Sequence, residues 1–431
     1  MKWTAEPLGR LVQPGRSISY GVVQPGQHDP DGVPIVRVTD VRGGRIDTRE
    51  PLRVARRIEE QHDRTRLRGG ELLITIVGTV GETAVVPEEM AGWNVARAIG
   101  VVPLRGDIGS RWARYALLSP AAQGFVKDRL NTTVQATLNL RDVGLIPIPL
   151  PPQADREAIL DVLGSLDDKI DLNRRTCATL EAIVRATFKS WFVDFDPVKA
   201  KAAGEPADSI CRRLGLTREV LDLFASRLDG GDVGQIPSGW HWATMNDIAR
   251  CARDGVDPAE VDPATPYIGL EHMPRGSIVL DDWGSAEGLE SGKFSFQEGQ
   301  VLFGKLRPYF KKVGVAPVSG ICSTDILVLD PRSPDVWGHL VMHASSTDLI
   351  DYASGSSGGT RMPRTSWDDV SRFRLRLPPL ELAAAFTQLV RPMATLIREA
   401  ILANRALAGV RDSLLPRLMT GDSSTFLKAQ A

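Results

Sequence analysis

The sequence predicts an α+β fold in which two similar lobes are joined by two long antiparallel helices that pair as a coiled coil. Three observations predict it: a long-period internal repeat, strand-like segments within each repeat, and a heptad pattern after each repeat. A chain of 431 residues accommodates two or three domains. We therefore expect a first lobe over 1–150, a long helix over 151–192, a connector over 193–235, a second lobe over 236–377 and a second long helix over 378–431.

The internal repeat consists of five pairs of matching motifs that occur in the same order in both halves of the chain. Their offsets are 237, 232, 229, 227 and 231 residues, and a nearly constant offset rarely arises by chance. The period is far longer than the ~20–50 residues of solenoid repeats. Each repeat is therefore a whole domain with its helix, and the pairs are Trp3 and Trp240, Pro34 and Pro266, Gly70 and Gly299, Thr133 and Thr360, and Asn173 and Asn404.

Each lobe contains short apolar runs that are broken by glycine and proline. Residues 71–77 and 326–329 are examples, and runs of this length with such flanks favour β-strands. Helical patterns occur near 111–125 and 336–353. This mixture predicts an α+β lobe whose curved core is made mostly of strands.

A heptad pattern follows the Leu-Pro-Pro motif of each repeat. Apolar residues recur at spacings of four and three from Ile159 to Trp191, and a second such tract runs from Val390 to Leu414. Single helices with an apolar face are not stable when that face is exposed. We expect the two helices to pack against each other; the alternative is that each packs only on its own lobe.

Two asparagines and three helix-breaking residues modify this pattern. Asn173 and Asn404 occupy matching seam positions, and a buried seam asparagine fixes register at a cost in stability. Both are therefore candidate residues for the register of the helix pair. Pro392 is expected to kink the second helix near its start, and this helix is expected to stop near Pro416 and Gly421.

Composition excludes several classes of protein. The chain has 52 Lys+Arg against 53 Asp+Glu, so it is not a uniformly basic polyanion binder, although local basic patches remain open. Its four cysteines form no C-x-x-C pair, which predicts neither a zinc ribbon nor a disulfide framework. The N-terminus lacks the apolar core of a signal peptide and no run approaches the ~18 apolar residues of a membrane span. We expect a cytoplasmic protein without membrane association.

Motifs for nucleotide and metal chemistry are missing from the sequence. No P-loop and no strand-linked G-x-G-x-x-G occurs. His339 and His343 are four residues apart, but Leu340 stands where a zinc peptidase motif has glutamate. A packed or solvated histidine pair is favoured over a metal site. We predict no catalytic residue, no metal and no cofactor in this chain, and an enzyme with an unrecognised pocket is a rival interpretation.

Loops at equivalent positions of the two repeats carry candidate nucleic-acid-binding side chains. In the second lobe, residues 303–312 interleave cations with aromatic rings, which suits contacts with phosphates and bases. Taken by itself, this loop fits a solvated basic hairpin as well as it fits a nucleic-acid contact. The candidates in the second lobe are Lys305, Arg307, Tyr309, Lys311, Lys312, Thr360, Arg361 and Arg364, and those in the first lobe are Thr79, Thr133, Gln135 and Asn139.

Several motifs resemble those of one protein family. They are Leu-Pro-Pro at 150–152, Leu-Asn-Arg-Arg at 172–175, Phe-Lys-Ser-Trp-Phe-Val-Asp-Phe-Asp-Pro at 188–197, Gly-Lys-Leu-Arg-Pro at 304–308 and Leu-Leu-Pro-Arg-Leu at 414–418. On these motifs the chain resembles the specificity (S) subunit of type I restriction-modification systems along nearly its whole length. Residues 380–384 depart from the family pattern at the start of the second helix.

The resemblance implies a non-catalytic subunit that reads double-stranded DNA. Each lobe would recognise half of a bipartite, asymmetric site, and the paired helices would set the spacing and dock two methyltransferase (M) subunits. Motor-nuclease (R) subunits would join for cleavage. The partners, not this chain, would use S-adenosylmethionine, ATP and magnesium. A two-lobed protein-interaction scaffold without a nucleic-acid role is the alternative from a different class.

Overall fold

The computed structural model describes residues 3–47, 51–130, 136–230, 235–355 and 363–420. The chain divides into a first unit, Met1–Lys169 with Leu407–Ala431, and a second unit, Ile170–Ala406. Each unit holds one lobe together with a part of both long helices. None of the helices in the described part of the chain is long and apolar enough to cross a membrane.

The first lobe is built from short strands and four short helices. Its strands are β1 (Thr4–Pro7), β2 (Ser19–Tyr20), β3 (Val33–Val36), β4 (Val41–Arg42), β5 (Arg45–Ile46), β6 (Leu52–Val54), β7 (Leu72–Thr75), β8 (Thr83–Val85), β9 (Asn94–Val95), β10 (Ile99–Val102) and β11 (Pro147–Leu150). Its helices are α1 (Arg56–Glu59), α2 (Ser110–Leu118), α3 (Pro120–Lys127) and α4 (Leu140–Leu145).

Buried strands form the centre of the first lobe. An antiparallel sheet has the order β2-β10-β7-β8, and every residue of β7 and β10 is buried. A second sheet has the order β6-β3-β9, in which β3 and β9 run parallel. Strand β1 pairs with β11, which immediately precedes the first long helix in the sequence. Trp112 and Tyr115 of α2 fill the core beside β7.

The first long helix, α5, spans Gln153–Phe188 and continues as one π-helical turn, Lys189–Val193. The connector that follows is folded, because it forms α6 (Asp196–Ala202), α7 (Ala207–Leu214) and α8 (Arg218–Asp222). Ile210 and Phe224 of this connector are buried in the same core as Trp191 and Phe192. The connector therefore belongs to the core of the second unit.

The second lobe contains thirteen strands and four short helices within the described residues. Its strands are β12 (Leu228–Asp229), β13 (Ile236–Pro237), β14 (His241–Thr244), β15 (Ala249–Ala252), β16 (Gly255–Val256), β17 (Pro266–Ile268), β18 (Gly284–Ser285), β19 (Lys293–Phe296), β20 (Val301–Gly304), β21 (Val313–Val315), β22 (Gly320–Cys322), β23 (Ile326–Pro331) and β24 (Arg374–Leu377). Its helices are α9 (Met245–Ile248), α10 (Trp337–Ala344), α11 (Thr347–Gly355) and α12 (Trp367–Ser371), followed by the second long helix, α13 (Leu380–Met419).

The second lobe repeats the topology of the first. Its antiparallel sheet has the order β15-β23-β20-β21, which matches β2-β10-β7-β8 strand for strand. Strand β17 runs parallel to β22 and antiparallel to β18, as β3 does with β9 and β6. Strand β14 pairs with β24 as β1 pairs with β11. The predicted α+β fold with two similar lobes is confirmed.

The two long helices pair in antiparallel fashion inside each unit. In the second unit, Asn173 Nδ2 donates to Asn404 Oδ1 over 2.8 Å, and Cys177 lies against Ile397. In the first unit, Ile159 shares a core with Leu415, and Asp167 meets Arg411. In both units residue numbers rise along one helix as they fall along the other. The predicted antiparallel pairing is confirmed, and the alternative in which each helix packs only on its own lobe is wrong.

Helix α13 is continuous through both of its prolines. It runs from Leu380 to Met419, so neither Pro392 nor Pro416 ends it. Pro392 is exposed, and a proline on a solvent-facing side leaves the carbonyl of the preceding turn free to bond water. Gly421 lies outside the described residues.

Candidate nucleic-acid interface

In the second lobe, three chain segments meet just beyond the end of β20. The Lys305 amide donates to the Asp325 carbonyl over 2.8 Å, and the Arg307 amide donates to the Pro363 carbonyl over 2.8 Å. The Thr365 amide returns a hydrogen bond to the Lys305 carbonyl over 3.1 Å. We call this meeting of residues 305–307, 325 and 363–365 the second-lobe junction.

The first lobe contains the same junction beyond the end of β7. The Ile76 amide donates to the Ala98 carbonyl over 2.9 Å, and the Gly78 amide donates to the Ala136 carbonyl over 2.9 Å. The Leu138 amide donates to the Ile76 carbonyl over 2.8 Å. We call residues 76–78, 98 and 136–138 the first-lobe junction. The three bonds correspond one to one with those of the second lobe, at the offsets of 229 and 227 residues found in the sequence repeat.

The side chains at the two junctions differ although the backbone bonds agree. Ile76, Ala98, Thr137 and Leu138 stand in the first lobe where Lys305, Asp325, Arg364 and Thr365 stand in the second. One junction is mainly apolar and the other is charged. A scaffold of fixed backbone thus presents different chemistry at equivalent places.

The charged side chains of the second-lobe junction are close together. Arg364 Nη2 donates to Asp325 Oδ1 over 2.5 Å. Burial lowers the pKa of Lys305, and the neighbouring positive charge of Arg364 lowers it further. Desolvation and a like charge both disfavour an ammonium ion. The junction therefore brings two cations together beside the single carboxylate of Asp325.

The loop that follows the second-lobe junction is held in an unusual backbone conformation. Arg307 and Lys311 have φ of 50° and 52°, and they flank a 3₁₀ turn, Pro308–Phe310. Non-glycine residues in this region cost about 1–2 kcal/mol each, and such strain clusters at functional sites. Tyr309 at the tip is 49% exposed. The loop thus presents the Tyr309 ring to solvent in one fixed arrangement, with Arg307 and Lys311 half-buried on either side.

Lys312 is placed differently from the other cations of this loop. Its ammonium group donates to the Leu270 carbonyl, and burial lowers its pKa. Lys312 therefore ties the loop to the preceding part of the lobe, whereas Lys311 beside it is half-buried.

The remaining candidates of the first lobe are partly described. Thr79 is exposed just after the first-lobe junction, and Asn139 is exposed just after Leu138, where its side chain does not cap α4. Both lie within a few residues of the junction. Thr133 and Gln135 of the first lobe and Thr360 and Arg361 of the second lie outside the described residues.

A partly buried ionic network in the first unit was missed by the sequence analysis. Asp167 of α5 accepts hydrogen bonds from Arg411 of α13 at 2.7 Å and from Arg114 and Tyr115 of α2 at 2.9 and 2.7 Å. Burial raises the pKa of Asp167, but the bonds from Arg411 and Tyr115 outweigh it, so the net pKa is lowered. Arg411 occupies an otherwise apolar seam position. A charged residue there indicates an acidic partner on the facing helix, and this signal in the sequence could have revealed the network.

A second missed residue, Glu181, attaches α5 to the second lobe. Its buried carboxylate accepts hydrogen bonds from the Ser277 hydroxyl and from the Ile278 amide, the latter at 3.0 Å. Arg185 one turn along α5 also donates to it, at 2.8 Å. A buried carboxylate is stable only with such partners. Glu181 is part of the Thr-Leu-Glu sequence at 179–181 and fixes the lobe on the helix.

The histidine pair is packed among aromatic rings. His339 and His343 are buried against Phe188, and His339 also contacts Phe192 and Phe386. Burial lowers the pKa of His343 to about 4 and that of His339 well below its usual value. Within the described residues no cluster of His, Cys, Asp and Glu has the arrangement of a metal site. The pair belongs to the core.

Comparison with known proteins shows similarity to one family over part of the chain. Residues 24–182 match the model of the type I restriction modification DNA specificity domain. The EcoBI specificity subunit of Escherichia coli is 30% identical over 159 residues, which span 37% of this chain and 33% of that protein. The MjaIX specificity subunit of Methanocaldococcus jannaschii is 22% identical over 365 residues, which span 82% of this chain and 77% of that protein.

A solved structure covers almost the whole chain. The type I restriction-modification S subunit from M. genitalium aligns over 97% of this chain and 96% of its own, with a TM-score of 0.49 and 13% identity. Over residues 24–182 the chain is thus similar to the type I restriction modification DNA specificity domain. This is the family that the sequence motifs resemble, and the two curated relatives above are specificity subunits of type I restriction enzymes.

Proposed function

We propose that each lobe reads one half of a bipartite, asymmetric sequence in double-stranded DNA. The observation that carries this proposal is the pair of junctions, which have the same backbone hydrogen bonds and different side chains. Two lobes that recognise different DNA sequences can share a backbone scaffold but need different side chains at the contact positions. The second-lobe junction offers arginine and lysine, and the first-lobe junction offers threonine and aliphatic groups.

The side chains around the junctions suit the major groove. Arginine pairs with the acceptor edge of guanine, whereas threonine and aliphatic groups contact the thymine methyl. Arg307 and Tyr309 would serve the second half-site, and Thr79 and Asn139 the first. These loops follow buried strands, which hold them in position.

The long helices would act as the ruler between the half-sites. Helix α5 has 36 residues and α13 has 40, which correspond to about 54 and 60 Å at ~1.5 Å per residue. Readers on one face of DNA need separations near one helical turn, ~34 Å. A paired helix keeps such a distance, while a flexible linker would spread it over many values.

A second apolar stripe on α13 supports docking of partner subunits. Leu389 and Leu396, both in the second unit, are seven residues apart and are 40% and 53% exposed. A heptad stripe outside the paired seam is a surface for another helix. We assign it to M subunits, two per complex, with R subunits joining for cleavage. The complex would use S-adenosylmethionine, ATP and magnesium, and the M subunits would methylate a flipped adenine.

Mapping methylated adenines tests the reading function. The chain is co-expressed with type I M subunits, and the DNA is sequenced for modified bases. A single bipartite, asymmetric motif is expected, and affinity of the complex for DNA should fall steeply as salt rises. If no assembly binds DNA, the chain is a protein scaffold instead.

One substitution tests the docking stripe. Leu396→Asp should abolish co-purification of M subunits, because it places a charge in the middle of an apolar contact. Thr395→Asp is the matched control, since it adds the same charge at the neighbouring exposed position of α13. Equal loss with both variants would contradict docking at this stripe.

A further inference from the structure

A cavity opens beside the second-lobe junction. Its volume is about 360 Å³, and Lys305, Arg364 and Thr365 of the junction line it together with Phe294 and Trp367. Arg253 completes the cationic part of the wall. Nothing in the reading function proposed above requires a cavity at this place.

The cavity carries a net positive charge. Of the described residues that line it, three are cations and none is an acid. The neighbouring Asp325 supplies one carboxylate, which Arg364 already engages. Lys305 is desolvated next to Arg364, and its pKa is lowered as a consequence. Two cations side by side in a partly buried site favour an anion between them.

A buried hydroxyl is the second, independent observation. Thr365 lines the cavity and is 2% exposed, and its Oγ1 has no hydrogen-bond partner among the described residues. A buried polar atom without a partner is unfavourable and is rare in native proteins. An oxygen atom of a ligand would satisfy it.

We propose that this cavity holds one phosphate group of the DNA backbone, a proposal that rests on the reading function above. Lys305 and Arg364 donate charge-assisted hydrogen bonds to the phosphate oxygens, and the Thr365 hydroxyl donates a third. Phosphate contacts fix the position of a protein on the duplex without reading its sequence. Lys305 therefore positions the second lobe, and the reading falls to other residues of the loop.

The described residues of the first-lobe junction do not form this subsite. Ile76 stands at the place of Lys305 and Leu138 at the place of Thr365, with the same backbone bonds. The repeat itself therefore supplies the test variant, Lys305→Ile with Thr365→Leu, because the fold already accepts both side chains in this setting. Lys305→Gln, which keeps a polar side chain of similar length, is the milder second variant.

The test measures binding of the assembled complex to duplex DNA at a series of salt concentrations. Both variants should lower the slope of log K against log salt by about one and weaken binding about tenfold at low salt. The loss should be equal on specific and scrambled duplexes, and the methylation motif should not change. Lys199→Ile, which removes an exposed lysine of the connector, should leave the slope unchanged.

Duplexes with single methylphosphonate linkages identify the source of the phosphate. One linkage should weaken the wild-type complex and leave the Lys305→Ile/Thr365→Leu variant unaffected. An unchanged salt slope, an altered second half-site, or competition by inorganic phosphate without any linkage effect would each overturn the proposal. A wild-type complex that does not bind DNA would instead reject the reading function itself.

Discussion

The two junctions show that a duplicated fold can keep its backbone hydrogen bonds while the side chains at equivalent positions change. Three backbone hydrogen bonds recur in both, yet Ile76 and Leu138 in one lobe correspond to Lys305 and Thr365 in the other. Backbone bonds of this kind do not depend on side-chain identity. The loops are therefore free to vary in recognition while the strands below them keep the lobe folded.

The two units also differ in how they hold the long helices. The first unit uses the charged network around Asp167, and the second uses Glu181 with the amide-paired Asn173 and Asn404. Buried polar groups are costly unless they are paired, and they select one arrangement over others. The two long helices are thus held by different contacts in the two units.

The largest expected effect comes from lengthening the two long helices. Insertion of one heptad into α5 between Asp167 and Asn173, with a matching heptad in α13 between Asn404 and Arg411, preserves pairing in both units. It adds about 10 Å, or about three base pairs of DNA. The original site should lose methylation, and a site with a longer spacer should gain it. Sequencing of methylated adenines measures the change, and an unaltered spacer would contradict the ruler.

Acid should destabilise the second unit before the first. His339 and His343 are buried in neutral form, so stability is lost as pH falls from 6.5, with about 3 kcal/mol lost by pH 4 for His343 alone. The pKa of Asp167 is lowered, so the first unit loses this contribution only below its unfolded value of 3.8.

Hydrogen exchange at pH 7 and pH 5, corrected for intrinsic rates, measures this difference. The second-unit core should open more readily at pH 5, and His343→Leu should remove about half of the dependence because His339 supplies the rest, whereas His28→Asn at an exposed site should not. Equal loss of protection in both units would contradict the assignment.

Single loop substitutions should affect one half-site each. Arg307→Ala should relax discrimination in one half of the site by about 1–3 kcal/mol, which corresponds to roughly five- to 150-fold. Thr79→Ala, at the equivalent loop of the first lobe, should relax the other half by a smaller amount. Competition binding with duplexes substituted in either half separates the two, and a loss spread over both halves would refute independent readers.

The smallest effect is expected at the asparagine pair. Asn173→Leu together with Asn404→Leu removes both polar partners, so thermal stability should stay equal or rise slightly. Register should become less defined, because the amide pair no longer excludes other alignments. Methylation at more than one spacer length would report this, and a single unchanged spacer would argue against the register role.

Features with a period or a repeat were predictable from the sequence. The heptads predicted paired helices, and the offsets predicted like topology in the two lobes, because both follow from which residues must be buried. The junctions were located approximately, since Gly78 and Lys305 lie in equivalent motifs.

Contacts that depend on three-dimensional meeting of distant segments were not predictable. Asp167 and Arg114 are far apart in sequence. Arg364 and Asp325 are also distant in sequence, and they meet only when the second lobe is folded. The three short helices of the connector are not evident from its mixed composition. Helices this short are stable only through tertiary packing, here the burial of Phe224. Continuity of α13 through Pro392 reflects tertiary packing that overrides local propensity.

The most direct test of two independent readers is a chain in which both lobes are the first lobe. Residues 236–377 are replaced by residues 1–150, both long helices are kept, and methylated adenines are mapped after co-expression with M subunits. The account predicts that the recognised sequence contains the first half-site twice and the second half-site not at all. Retention of the original asymmetric sequence by a folded, assembled complex would contradict it.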